Sequence, residues 1–228
     1  MKRTILAVAA GMILGSQPVL AEDDHFKGYY PHAAATYEVT VTNITRGQSF
    51  TPVLAATHRN SFRLFQLGQP VSDELSQLAE GGDINPLKTT LDASYRSVSN
   101  TASTAGLLNP GQSTTFEIQA GHGVKRLSLA AMLIPTNDTF VSLSAVKLPK
   151  YGSKTYRASA YDAGSEPNDE LCANIPGPVC GGSGVSAGES GEGFVHISAG
   201  IHGEADLARS AYDWRESVAT VTVRRVYK

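Results

Sequence analysis

The sequence predicts a mainly β protein, an antiparallel β-sandwich with a short helical insert. Several segments alternate apolar and polar residues with a period of two, which is typical of strands with one buried face. Glycine, proline and asparagine turns separate these segments, and they do not alternate regularly with helices, as the strands of a parallel sheet would. A chain of 228 residues is long enough to bury a sizeable core in one domain.

The first 21 residues have the organisation of a secretory signal peptide. Lys2 and Arg3 precede an apolar stretch at 5–14, and residues 19–21 provide the expected cleavage site. The apolar stretch is too short to cross a bilayer, which takes about 20 residues. We therefore expect cleavage after Ala21, a secreted or periplasmic protein without a transmembrane segment, and a single domain over residues 22–228.

The predicted strands follow along the rest of the chain. In the first of them, valines at 39 and 41 alternate with polar residues. The same alternation, or a short apolar run between turn residues, predicts strands at 37–42, 51–55, 113–119, 127–134, 194–198 and 218–226.

Two short helices are predicted between the second and third of these strands. Ser72 is a suitable N-cap for the first helix, and Gly81 and Gly82 are suitable residues to end it. The apolar positions in between fall on one face of the helix. Asn85 and Pro86 start the second, because proline is tolerated in the first turn of a helix.

The two cysteines predict a structural disulfide. Cys172 and Cys180 flank a segment with two prolines and a glycine, and an exported protein meets oxidising conditions. Their spacing does not match the CxxC pattern of redox or zinc pairs. They lie in a stretch rich in glycine, serine and acidic residues, 163–193, that we expect to form a long loop.

The charge balance argues against a nucleic-acid partner. The formal net charge is −2, and the basic residues are not clustered in the sequence as phosphate binding requires. Near matches to a dinucleotide-binding motif and to a serine nucleophile elbow each lack their required context or spacing.

Two groups of side chains could bind a metal. His196 and His202, with Glu204 close behind, offer ligands suited to zinc, although their spacing matches no established site. We expect the acidic residues at 162, 166, 169 and 170 to form a solvated loop, and one of them to take part in a binding site.

Seven segments, in this order along the chain, resemble the spondin N-terminal domain in its bacterial form. The resemblance covers nearly the whole mature chain. The segments are SFTPVLAATH at 49–58, LFQLG at 64–68, SDELSQLAEGG at 72–82, FEIQ at 116–119, IPTNDTF at 134–140, YDAG at 161–164 and YDW at 212–214.

The resemblance implies secretion, a sandwich similar to C2 domains and one bound Ca²⁺ ion. It implies that Glu117, Asp138 and Asp162 are the metal-binding carboxylates, and we expect a sandwich to gather them at one rim. Calcium takes six to eight oxygen ligands, which three carboxylates, carbonyl groups and water can supply. Alternatively each acid has a local role: Asp138 caps a turn, and Asp162 makes an Asx turn to Gly164.

Three functions follow as hypotheses. The first is a secreted, non-enzymatic calcium-binding domain for adhesion or other extracellular interactions, with a protein or glycan as its unidentified partner. The second is a metal-dependent hydrolase that uses His196, His202 and Glu204. The third is a carbohydrate- or lipid-binding module in which Trp214 and exposed tyrosines stack on the ligand.

Overall fold

The computed structural model describes residues 34–185 and 191–227, so the predicted signal peptide lies outside the described residues. Within them the strands are β1 (Ala35–Asn43), β2 (Ser49–Phe50), β3 (Leu54–His58), β4 (Val98–Ser103), β5 (Ser113–Ala120), β6 (Arg126–Ile134), β7 (Thr139–Lys147), β8 (Ser153–Asp162), β9 (His196–Ile197) and β10 (Ala219–Val226). The helices are α1 (Asp73–Gly81), α2 (Asn85–Ala93) and the short α3 (Arg209–Tyr212), with a 3₁₀ turn at Cys172–Asn174. No helix in this part of the chain is both long and apolar enough to cross a membrane.

The strands form one antiparallel sheet in the order β4-β3-β6-β7-β8-β10-β1-β5, with β2 beside β6 and β9 beside β8. Its two edges approach each other, because Asn100 and Ser99 of β4 accept hydrogen bonds from the main-chain N–H groups of Gln119 and Gly121. The sheet is therefore nearly closed and barrel-like. The predicted mainly β, antiparallel fold is confirmed.

Strand β8 makes the continuous sheet possible. Residues 153–158 of this strand pair with β10, and residues 159–162 pair with β7. A strand that changes partners along its length turns a corner between two parts of a sheet. The ten residues of β8 therefore connect two halves that would otherwise be separate layers.

The main core fills the interior of the sheet. Val39 and Val41 of β1 meet Val221 and Val223 of β10 and Leu129 of β6, all fully buried. Because side chains on a strand alternate between faces, every second residue of β1 and β10 points inwards, as the period of two predicts.

The helical insert covers part of the outer surface of this sheet. Ser72 accepts a hydrogen bond from the N–H of Leu75, and Gly82 ends α1 in the left-handed conformation. Leu75 and Leu78 pack on Phe140 of β7. The predicted starts of both helices are confirmed. Strand β6 is buried on both faces, because the core lies on one side of it and the insert on the other.

Antiparallel pairing gives the molecule two distinct ends. Strands β1, β6 and β8 finish where β5, β7 and β10 begin, and we call this the aspartate end because Asp162 lies there. The opposite end, where β6 starts and β7 finishes at Lys147, is the lysine end. Each of the longer strands has eight or more residues at about 3.3 Å each, so the two ends are roughly 26 Å apart.

The loop region after β8 has a small core of its own. The predicted disulfide between Cys172 and Cys180 is present. It packs against a buried cluster of Ile175, Ile201 and Leu207, with Trp214 half-buried beside them. The disulfide and this cluster together hold the loops that surround the aspartate end.

Candidate metal centre

Asp138 lies in the turn between β6 and β7 and is fully buried. Its Oδ2 atom accepts hydrogen bonds from the N–H groups of Ser165 and Glu166, at 2.8 and 3.0 Å, and from the Ser165 hydroxyl at 3.2 Å. Its Oδ1 atom is buried and has no hydrogen-bond donor among the described residues. One oxygen of this carboxylate is therefore held firmly, and the other can accept a ligand.

Asp162 is the last residue of β8 and pairs with Thr139, directly after Asp138. It is buried, and it accepts hydrogen bonds from the Gly164 N–H at 2.8 Å and from the Asn168 amide at 2.9 Å. The bond to Gly164 is the predicted Asx turn. Burial and the charge of Asp162 raise the pKa of Asp138 to about 7, and burial also raises the pKa of Asp162.

Two further buried carboxylates lie beside this pair. Glu166 follows Ser165 in the turn whose N–H groups bind Asp138, and Glu80 is near the end of α1. Burial raises the pKa of Glu80, as does the charge of Glu166, whereas a hydrogen bond with Ser165 lowers it. The expectation of a solvated acidic loop is wrong, since Asp162, Glu166 and Glu170 are all buried.

His196 of β9 pairs with Asp162, and Glu192 approaches from the preceding turn. The Nε2 atom of His196 lies 3.3 Å from Asp162 Oδ1 and 3.5 Å from Glu192 Oε2. Burial lowers the pKa of His196, but the carbonyl of Ile197 and the two carboxylates raise it overall. The three side chains offer ligand atoms within 4.8 Å of one another, a grouping suitable for a metal ion.

The alternative centre of His196, His202 and Glu204 does not form among the described residues. The side chains of His202 and Glu204 are exposed, and their main-chain N–H groups donate to the carboxylate of Glu170. Glu170 also accepts from the N–H of Gly203 at 2.8 Å. The role of these residues is therefore to anchor a loop on a buried carboxylate.

Glu117 lies away from the two aspartates. It is exposed in the middle of β5, opposite Glu38 of β1, which is opposite Arg224 of β10. Arg224 in turn is opposite Ser153, at the lysine end of β8. The structure therefore brings Asp138 and Asp162 together at one end of the sheet, and Glu117 lies midway along a different strand.

No pattern in the sequence assigns Glu80, Glu166 or Glu192 to the site. Glu80 reaches it because α1 packs on the outside of the sheet, and no local pattern predicts that contact. Glu166 carries a weak signal, since it follows the Asp162 turn by only four residues.

These residues fit a hard cation such as calcium. Asp138 Oδ1 and the Asp162 carboxylate are oxygen ligands of the kind that Ca²⁺ prefers. No lysine or arginine in the described part of the chain forms an ion pair with Glu80, Asp138 or Asp162. A buried group of like charges is costly, and apart from His196 beside Asp162 the described residues offer no cation to offset it, as a dication would.

Comparison with models of known protein families gave a match that covers most of the described strands. The model of the spondin N-terminal domain family matches residues 29–168, which is more than half of the chain and includes β1 to β8 and both aspartates. No match was found among curated proteins. The chain therefore belongs to the spondin N-terminal domain family.

Proposed function

We propose that the chain is an exported, non-enzymatic domain that binds one Ca²⁺ ion at its aspartate end. The ion fixes the surrounding loops for interaction with an extracellular protein or glycan. The observation that carries this proposal is the fully buried Asp138 Oδ1, which has no hydrogen-bond donor among the described residues and lies beside a second buried carboxylate.

Buried carboxylates that lie close together repel each other, and this repulsion favours a bound cation. With no cation, burial and, after it, the charge of Asp162 together raise the pKa of Asp138 to about 7. A dication between the carboxylates converts this repulsion into attraction. Its binding free energy then stabilises the fold and the turn at 163–166 that wraps around Asp138.

The extracellular part of the proposal has two supports. Membership of the spondin family favours an extracellular or cell-surface domain. The disulfide between Cys172 and Cys180 is a bond that persists in oxidising compartments and is rare in the cytosol.

Thermal unfolding tests the calcium site. Saturating Ca²⁺ at about 100 times the dissociation constant stabilises a protein by about 2.7 kcal/mol, which corresponds to a rise in Tm of roughly 5–10 °C for this size. Asp138→Asn and Asp162→Asn remove ligand charge, so we expect each to lose most of the difference between calcium and chelator.

Two substitutions serve as controls. Glu216→Gln changes an exposed carboxylate and should keep the full calcium response. We expect Glu117→Gln to keep it as well, because Glu117 is exposed on β5. Loss of the response in this variant would support the ligand set that the family resemblance implies. An identical melting curve in calcium and chelator would rule out the calcium site.

A zinc titration separates the second candidate at this end. If Zn²⁺ rather than Ca²⁺ raises Tm, and His196→Gln abolishes the rise, the site is the group of Asp162, Glu192 and His196. Imidazole nitrogen favours zinc over calcium, so this result would replace the calcium assignment.

A further inference from the structure

The lysine end of the sheet contains a cavity of about 870 Å³. It lies where β1 and β6 begin and where β5, β7 and β10 end, and the residues lining it come from all five of these strands. A cavity of this volume in the mouth of a β-barrel is of the size and in the position typical of small-molecule sites.

Five cationic side chains line this cavity, and no acidic residue is among the described residues around it. They are Lys125, Arg126, Lys147, Lys150 and Arg225. No ion pair joins any of the five to a carboxylate within the described ranges. The chain has more acidic than basic residues in total, so this concentration of positive charge among the described residues is a local property of the lysine end.

Two of the cations are held in place by the main chain. Arg126 donates a hydrogen bond to the carbonyl oxygen of Ala145 at 3.1 Å, and Arg225 donates to that of Lys150 at 2.8 Å. Each of these bonds uses one of the five N–H donors of a guanidinium group. The remaining donors are suited to an oxyanion, which guanidinium groups bind with two parallel hydrogen bonds.

The floor of the cavity is apolar. Tyr37, Ala120 and Leu148 line it and also belong to the main core, and Val124 packs beside them. A ligand that reaches this floor would bury apolar surface, which simple anions such as phosphate cannot do.

We propose that this cavity binds a small amphipathic anion, with its phosphate, sulfate or carboxylate head among the cations and its apolar tail on the floor. The proposal does not depend on the cation site, which lies at the other end of the sheet. Charge complementarity selects the head, and the apolar residues that line the floor select the tail.

Calorimetric titration of the complete mature protein with octyl phosphate, below its micelle-forming concentration, tests the proposal. We expect saturable binding with a stoichiometry of one, and affinity that rises from butyl to octyl phosphate by about threefold to fourfold for each buried methylene group. Octyl glucoside and octyltrimethylammonium have tails of the same length without negative charge, and we expect neither to bind.

Two double variants identify the site. Lys125→Gln with Lys150→Gln removes two exposed cations from the rim and should weaken octyl phosphate binding by at least tenfold. The matched control, Arg157→Gln with Arg215→Gln, removes two exposed positive charges that do not line the cavity and should leave the affinity unchanged.

Three results would each overturn the proposal. The first is no saturable binding of octyl phosphate, and the second is equal loss of affinity in the two double variants. The third is inorganic phosphate binding as tightly as octyl phosphate, which would show that the apolar floor takes no part.

Discussion

His58 illustrates how a single side chain depends on the packing of distant strands. It is fully buried at the end of β3, where its two ring nitrogens contact the carbonyl oxygen of Arg59 and the hydroxyl of Ser128, each at 2.8 Å. The Ser128 hydroxyl also accepts a hydrogen bond from the N–H of Ala145. Because a carbonyl can only accept, the Arg59 contact places the proton on Nδ1 and leaves Nε2 as an acceptor.

We predict that His58 makes the protein less stable in mild acid. Burial lowers the pKa of His58, and Arg63 and Arg126 lower it further against the opposing effect of the Arg59 carbonyl. As the pH falls below about 6.5, His58 therefore takes up a proton in the unfolded chain before it does so in the folded protein. The free energy of unfolding decreases until the pH falls below the pKa of His58 in the folded protein.

Urea unfolding of the wild-type protein and of His58→Gln at pH 5.5 and pH 7.5 measures this effect. The variant loses the ring packing with Phe62 at both pH values. We expect the stability advantage of the wild type to be smaller at pH 5.5. An equal difference at the two pH values would contradict the prediction.

The proposed site residues show what residue patterns can and cannot predict. The turn at Asp138 and the Asx turn at Asp162 follow from local sequence. Glu117 sits between Phe116 and Ile118 on a strand, so alternation places it on the opposite face from Ile118, which is buried in the core. Its distance from the aspartates depends on the order of β8, β10, β1 and β5, which no local pattern specifies.

Among the elements, α1 was predictable because its signals are local. Ser72 and Gly82 lie at its boundaries, and the apolar face in between has helical spacing. Strands β7 and β8 were not predicted, and the segments carrying Asp138 and Asp162 were expected to be loops. The first half of β7 is buried on both faces, and the start of β8 is exposed, so neither strand shows a clean alternation from end to end.

The loop at 200–204 is an element that depends on one carboxylate. Glu170 accepts main-chain hydrogen bonds from His202, Gly203 and Glu204. Such charge-assisted bonds are about twice as strong as neutral ones. The buried cluster of Ile201 and Leu207 therefore depends on the charge of Glu170 as well as on its own packing.

We predict that Glu170→Gln lowers the free energy of unfolding by about 1–3 kcal/mol. The amide has one acceptor oxygen where the carboxylate has two, and its NH₂ group faces donors. Denaturant unfolding measures the loss. Glu204→Gln, which changes an exposed side chain in the same loop, is the matched control and should cost less than about 0.5 kcal/mol. Equal stability of the two variants would show that Glu170 does not anchor the loop.

At the scale of the whole molecule, the class of fold was predictable and its closure was not. Alternation predicts that strands form and that they have one buried face. The approach of β4 to β5 depends on hydrogen bonds that the side chains of Asn100 and Ser99 accept across the two edges of the sheet. These residues are far from their partners in the sequence, and nothing in their local context indicates the contact.

The separation of the two ends by roughly 26 Å has a thermodynamic consequence. In a water-like medium a dication and a monoanion at that distance attract each other by only about 0.3 kcal/mol, and physiological salt, with a Debye length of about 8 Å, reduces this further. We therefore predict that saturating calcium changes the dissociation constant for octyl phosphate by less than about twofold, as measured by calorimetry with and without the ion. A larger change would mean that the strands themselves move when one end is occupied. The two ends would then be coupled by a conformational change of the barrel and not by electrostatic attraction.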